Sequence, residues 1–342
     1  MENEILLQVN DLHTHFFTDD GIVKAVDGVD FVVRKGRTLG IVGESGCGKS
    51  ITALSILRLL DPQGRVVKGE IWFKGRNLLT LTGQEMRAIR GCSISIIFQD
   101  PMTALNPVLT IGEQLSEVLL VHQGMAPRRA RAAVVEMLTR VGVTDPDKRF
   151  DQYVHVLSGG IQQRAMIAMA LLCKPDLLLA DEPTTALDVT IQAQILELMR
   201  DIQHELGTSI VFITHDLGVI AELAHDIVVM YAGKVVESAA MRDLFKDARH
   251  PYTEGLLKCL PRLDAEETEL FTIRGMVPGP FDAVSGCPYH TRCRYVKSIC
   301  RAKTPILEEV APGHRAACWR NRDEYGAVAP GPAEPATGES RK

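Results

Sequence analysis

The segment TLGIVGESGCGKSITALSILRLL constrains the chain more than any other, because it passes from an apolar strand through a glycine-rich turn into a helix with apolar residues at helical spacing. The turn, residues 43–50, has the spacing G-x-x-x-x-G-K-S. Gly43, Gly46 and Gly48 let backbone amides turn toward a polyphosphate, and the helix N-terminus adds favourable partial charge. Lys49 is expected to reach the β- and γ-phosphates and Ser50 to coordinate Mg²⁺. Ser45, Cys47 and Ile51 complete the cradle, with Cys47 a small apolar filler at a variable position.

A second segment, DLLLADEP at residues 176–183, is an apolar strand that ends in two carboxylates. Open α/β sheets bind ligands at the C-terminal ends of their strands. Asp181 is therefore expected to hold Mg²⁺ through water, and Glu182 to polarise an attacking water as general base. Together the two segments read as a P-loop NTPase.

The rest of the chain is organised around them. Residues 1–35 alternate apolar and polar in short runs about a DDG turn, which reads as antiparallel strands. Residues 66–98 return to short strands ending in SISIIF, and about 103–170 read as helices inserted into the α/β core. DLLLA, SIVFIT and DIVVMY then read as short buried strands, with IQAQILELMRDIQHEL as the crossover helix between the first two. After about residue 250 the texture changes to proline, cysteine and basic residues, and 326–342 has too few large apolar residues to pack, so disorder is expected there.

LSGGIQQ at residues 157–163 decides among P-loop families, because it resembles the signature motif of ABC ATPases. Ser158, Gly159 and Gly160 open a helix whose amides can bind phosphate. In that family the patch meets the γ-phosphate held by an opposite subunit. The resemblance, which covers roughly residues 5–325, implies a RecA-like α/β core, an antiparallel β subdomain, an inserted helical subdomain and a small C-terminal extension. It further implies that Gln99 in IIFQDP senses the γ-phosphate and Mg²⁺, that His215 in FITHD contacts the γ-phosphate, and that Asp188 in TALD bridges two subunits. Phe16 is the implied adenine-stacking aromatic, with Phe17 adjacent. FQDPMTALNP and RHPYTEGLLKCLPRL resemble the dipeptide/oligopeptide importer branch, which places the cassette at 1–250 and the branch's extension at 251–325.

That extension carries Cys287, Cys293, Cys300 and Cys318, separated by five, six and seventeen residues. In a reduced compartment such a set reads as metal ligands. The resemblance makes a [4Fe–4S] cluster the expected occupant. Zinc, with His290 or His314 substituting, and free thiols are the alternatives.

Composition narrows the function. A net charge of −5 gives no basic footprint for nucleic acid. No apolar run approaches the about 18 residues of a membrane span, and MENEILLQVN lacks the order of a signal peptide, so a cytoplasmic chain is expected. The implied role is an ATP-driven importer motor on the cytoplasmic face of the membrane. Its implied partners are a second, non-identical cassette, two permease subunits and an extracellular substrate-binding protein, with peptides as cargo. The same motor for nickel chelates or oligosaccharides is one alternative. A non-transport ABC ATPase of DNA repair or translation is another, although the interval between Lys49 and Ser158 shows neither sustained heptads nor a basic run.

Overall fold

The computed structural model describes residues 4–184, 188–260, 271–279, 281–282, 284–322 and 325. Strands β1 (Ile5–Thr18) and β2 (Gly21–Arg34) form a long hairpin, and β3 (Thr38–Val42) leads through the glycine-rich turn into α1 (Lys49–Leu57). Strands β4 (Gly64–Phe73) and β5 (Arg76–Asn77), helix α2 (Gly83–Ile89) and strand β6 (Ile94–Ile97) follow. Helices α3 (Pro101–Ala104), α4 (Ile111–Gln123), α5 (Pro127–Arg140), α6 (Pro146–Phe150) and α7 (Gly159–Leu171) fill the next stretch. Then come β7 (Leu177–Asp181), α8 (Val189–Leu206), β8 (Ser209–Thr214), α9 (Leu217–Leu223), β9 (Asp226–Tyr231) and β10 (Lys234–Ala240). Helices α10 (Met241–Lys246), α11 (Pro251–Lys258) and α12 (Ser298–Ala302) precede the short strands β11 (Glu308–Ala311) and β12 (His314–Ala316).

The strands form two sheets, one ordered β2-β1-β4-β5 and one ordered β11-β12-β10-β9-β3-β8-β7-β6. Within the second, β9, β3, β8, β7 and β6 run parallel, and β3, β7 and β8 are buried along their whole length. Both faces of a parallel sheet must be covered, which is why these strands read as unbroken apolar runs. The two faces feed separate cores. Leu178 and Phe212 pack with Leu115, Val134 and Met166 of the helical insert, whereas their neighbours Leu179 and Ile213 pack with Leu7, Val26 and Ile56. Each large side chain so buried contributes about 1.5–3 kcal/mol.

One reading of the sequence needed amendment. The stretch expected to hold only strands contains α2, whose start is fixed by Thr82 and Glu85 bonding each other's backbone amides in a capping box. The C-terminal extension packs onto the core. Its β11–β12 hairpin continues the main sheet, pairing with β10 at Glu237↔Ala316 and Ser238↔Arg315. The expected tail at 326–342 lies outside the described residues.

A ladder of charges joins the sheets. Lys68 on β4 pairs with Asp11 at 2.6 Å, His13 lies 2.9 Å from Asp11 and 3.0 Å from Asp27, and Lys234 on β10 pairs with Asp27 at 2.6 Å. His13, His15 and Asp27 bring ligand-type atoms within 4.8 Å of one another. Both ring nitrogens of His13 nevertheless face carboxylates, so this group is already engaged in the ladder. Among the described residues, no helix is long and apolar enough to cross a membrane.

Candidate nucleotide site

The phosphate-binding turn is shaped by close backbone approach. A Cβ on Gly43 would sit 2.3 Å from the Met230 carbonyl oxygen, and one on Gly48, at φ 100°, 2.3 Å from that of Ala25. Only glycine fits either place. Ser45 and Gly46 are exposed at the tip, and Cys47 is buried beneath it. Burial pushes the Cys47 thiol above its ordinary range, in keeping with a packing role. Lys49 is 4% exposed and donates to the carbonyls of Gly43 at 2.8 Å and Glu44 at 3.1 Å. Its ammonium thus holds the turn in shape and must exchange these partners when it meets phosphate.

Both carboxylates stand at the C-terminal end of β7, beside the turn. Ser50 donates to Asp181 at 2.9 Å, so the two expected Mg²⁺ ligands already touch. Burial raises the Asp181 carboxyl above its usual range, while the Ser50 hydroxyl opposes the shift. Glu182 adopts a left-handed backbone conformation, φ 47°, unusual for a residue other than glycine. Its amide donates to the Ile213 carbonyl at 2.9 Å, which fixes the turn after the strand. Strained backbone of this kind concentrates at functional sites.

The expected sensors converge on Glu182. Gln99 donates to its Oε2 at 3.1 Å, His215 Nδ1 lies 3.4 Å from the same oxygen, and Lys49 Nζ lies 3.9 Å from Oε1. Segments after β6, β7 and β8 and the start of α1 therefore deliver Gln99, Glu182, His215 and Lys49 to one point. Ser158 caps α7 without using its side chain for the cap, and a Cβ on Gly159 would meet nothing within 4 Å. A Cβ on Gly160 would lie 3.8 Å from Ile191, whose amide is capped by Asp188 at 2.9 Å. The signature turn and Asp188 thus lie together at the starts of α7 and α8. Gln163 of α7 donates to the Pro183 carbonyl at 2.6 Å and ties this region to the acidic strand.

Phe16 is half-buried with its ring against Gly64, and Thr14, two residues earlier, bonds Ser55 on α1 at 2.8 Å. Phe17 is exposed and lies under the Arg65 guanidinium, 5.1 Å from the ring centre. Three residues that sequence reasoning did not single out also reach the site. Glu44 in the turn pairs with Arg292, and Tyr252 accepts the Glu44 amide at 2.9 Å. The PYT segment was the sequence trace of the Tyr252 contact.

Cys287, Cys293, Cys300 and Cys318 line one cavity together with Tyr289, Tyr295, Trp319 and Arg320. The Cys287 amide donates to the Cys300 carbonyl at 2.8 Å, closing the loop that carries them. Burial pushes the Cys287 thiol up to about 11 and that of Cys318 to about 12. His290 also lines the cavity, but His314 turns away to Glu237, 2.7 Å from Nε2, and so does not serve as the substitute ligand considered from sequence.

A parallel sheet bearing this loop and acidic pair, with a helical insert on one face and an antiparallel sheet beside it, defines an ATP-binding cassette. The ABC transporter family model matches residues 26–185, and that of the oligopeptide/dipeptide transporter C-terminal region matches 236–300. The chain is 51% identical over 317 residues, 92% of its length and 95% of the relative's, to the dipeptide transport ATP-binding protein DppD of Bacillus subtilis. It is 49% identical to the oligopeptide transport ATP-binding protein OppD of Salmonella typhimurium, across 94% of this chain and 95% of that one. The dimeric, ADP- and Pi-bound structure of the cassette MJ0796 superposes with a TM-score of 0.63 at 27% identity, covering 69% of this chain and 99% of that one. The chain belongs to the ATPase subunits of ABC transporters, in the branch that carries the oligopeptide/dipeptide C-terminal region.

Proposed function

We propose that the chain is the motor of a peptide importer and that it works at the cytoplasmic face of the membrane. The observation that carries the nucleotide chemistry is the convergence of Lys49, Gln99 and His215 on Glu182 beside the Ser50–Asp181 pair. Lys49 exchanges the carbonyls of Gly43 and Glu44 for the β- and γ-phosphates. Ser50 and Asp181, 2.9 Å apart, would with Gln99 hold Mg²⁺, which would supply neutralisation of the phosphate charge. Glu182 orients the water and accepts its proton as the oxygen attacks the γ-phosphorus and the bond to the β-phosphate oxygen breaks, releasing ADP. His215 and Gln99, within reach of the same carboxylate, fix its orientation and report the γ-phosphate to the helical insert. Phe16 stacks on adenine.

Ser158, Gly159, Gly160 and Asp188 stand at the starts of α7 and α8, where helix N-termini suit binding of a γ-phosphate held by a second cassette. That cassette, two permease subunits and an extracellular binding protein complete the assembly, with a non-identical cassette preferred. The relatives named for dipeptide and oligopeptide transport favour peptides over nickel chelates and oligosaccharides.

The four cysteines suit a [4Fe–4S] cluster as a structural group. A tetrahedral zinc–thiolate site, with Zn–S about 2.3 Å, sets sulfurs about 3.8 Å apart. Among the described residues the group that gathers three ligand atoms within 4.8 Å is His13, His15 and Asp27, not the cysteines. Cys287, Cys293, Cys300 and Cys318 face one cavity, which suits ligation of a shared cluster by all four.

ATP turnover by the complete complex in lipid, with its binding protein loaded in turn with peptides, nickel chelates and oligosaccharides, tests the reading. Stimulation by peptides alone is expected; stimulation by another cargo, or by none, overturns the peptide assignment.

A further inference from the structure

Glu44, the second residue of the phosphate-binding turn, is held from outside the cassette's motifs. Arg292 Nη1 lies 2.9 and 3.0 Å from its two carboxylate oxygens, and the Arg292 side chain is only 4% exposed. The guanidinium is itself fixed on all sides. Nε donates to the Arg274 carbonyl at 3.0 Å, Nη2 to that of Ile273 at 3.3 Å, and Nη1 to the Tyr231 hydroxyl at 3.4 Å. It also lies 5.8 and 5.9 Å from the ring centres of Tyr231 and Tyr289. Tyr252, fully buried and 4.8 Å from Tyr231 between ring centres, accepts the Glu44 amide. The Glu44 carbonyl in turn holds Lys49.

We propose that Arg292 is a positioning residue for nucleotide binding, acting through Glu44 to hold the turn and Lys49 in the geometry that receives a triphosphate. The proposal rests on the nucleotide-site reading above. Two physical effects combine. An anchored turn does not lose freedom when phosphate binds, and a ligand's apparent Kd scales inversely with the fraction of protein already competent. The anchored turn does not carry Gln99 or His215, which hold Glu182 from other segments, so the larger change falls on binding.

The full-length chain is tested with a fluorescent ATP analogue for Kd, and its assembled complex for kcat and KM. Arg292→Ala and Glu44→Ala each raise Kd and KM about tenfold, as a competent fraction reduced to roughly one tenth requires, with kcat within about twofold. The double variant stays near tenfold, because Arg292 has nothing to act on once Glu44 is gone. A purely structural role for Arg292 would instead multiply the two losses to about a hundredfold, and that result overturns the proposal. An unchanged KM in either single variant also overturns it. Iron content and melting temperature report whether Arg292→Ala, next to Cys293, disturbs the extension. If it does, Glu44→Ala, 248 residues away in the chain, still decides the matter. Lys49→Ala separates the proposal from its foundation: retained ATP binding there refutes the nucleotide site itself, whereas lost binding with unaffected Arg292 and Glu44 variants refutes only the positioning role.

Discussion

Glu182→Gln isolates the general base with little change in shape. The carboxylate is 12% exposed and accepts from Gln99 at 3.1 Å, with His215 at 3.4 Å and Lys49 at 3.9 Å. Glutamine keeps an oxygen for Gln99 but neither charge nor basicity. A positioned base contributes about 10²- to 10⁴-fold, or about 3–5.5 kcal/mol of barrier at about 1.36 kcal/mol per tenfold. Turnover should therefore fall by that factor. Binding should move the other way. Unit charges about 4 Å apart attract by a gross 4 kcal/mol or so at an effective dielectric of about 20. Freeing Lys49 from Glu182 and removing one negative charge beside the triphosphate thus favours nucleotide. The assay pairs phosphate release by the assembled complex at saturating ATP with the Kd of a fluorescent ATP analogue on the full chain. Gel filtration then shows a nucleotide-trapped dimer. Turnover within about tenfold of the unaltered protein would refute the general-base role.

Three further outcomes follow from the geometry. Gly43→Ala places a methyl 2.3 Å from the Met230 carbonyl oxygen and 2.6 Å from Cys47 Sγ, so it should abolish ATP binding in a titration and lower the melting temperature. Cys287→Ser with Cys300→Ser should remove iron from anaerobically prepared protein, measured by metal analysis, and reduce stability; an iron-free unaltered protein would defeat the cluster assignment. Tyr252 is buried and its hydroxyl pKa is raised mainly by that burial, so the folded state resists an ionisation that the unfolded chain undergoes near pH 10. Its contribution to stability is complete below about pH 10 and is lost as pH rises further. The urea midpoint of Tyr252→Phe should accordingly lie below that of the unaltered protein at pH 8, with the gap narrowing by pH 10.5.

The residues of the candidate site could be picked out because each part has a local chemical signature. The turn at residues 43–50 needs glycines at fixed offsets, and Asp181 and Glu182 follow an apolar strand that can only be buried. The structure brings Gln99 and His215 to Glu182 although they come from separate crossovers, and there the family resemblance supplied what periodicity did not. Helix α2 escaped because its seven residues carry one turn's worth of apolar spacing, and its Thr82–Glu85 box is a weak sign beside short β-like runs. The Arg292–Glu44 pair had no local sign at all. An ion pair between residues so far apart in the chain leaves no periodicity to read.

The pairing of β12 with β10 bears on how the polypeptide emerges from the ribosome. Until residues 314–316 are made, β10 presents an open strand edge of the kind that recruits foreign strands. Glu237 in that strand, fully buried in the finished fold, accepts from the amides of Arg249 and His250 and from the His314 ring. A nascent cassette therefore has every motif of the candidate nucleotide site in place while its sheet is unfinished and a carboxylate destined for burial lacks its imidazole. The β11–β12 hairpin replaces the long β10 edge with a short one, which makes premature termination near residue 300 a source of aggregation rather than of a smaller working ATPase.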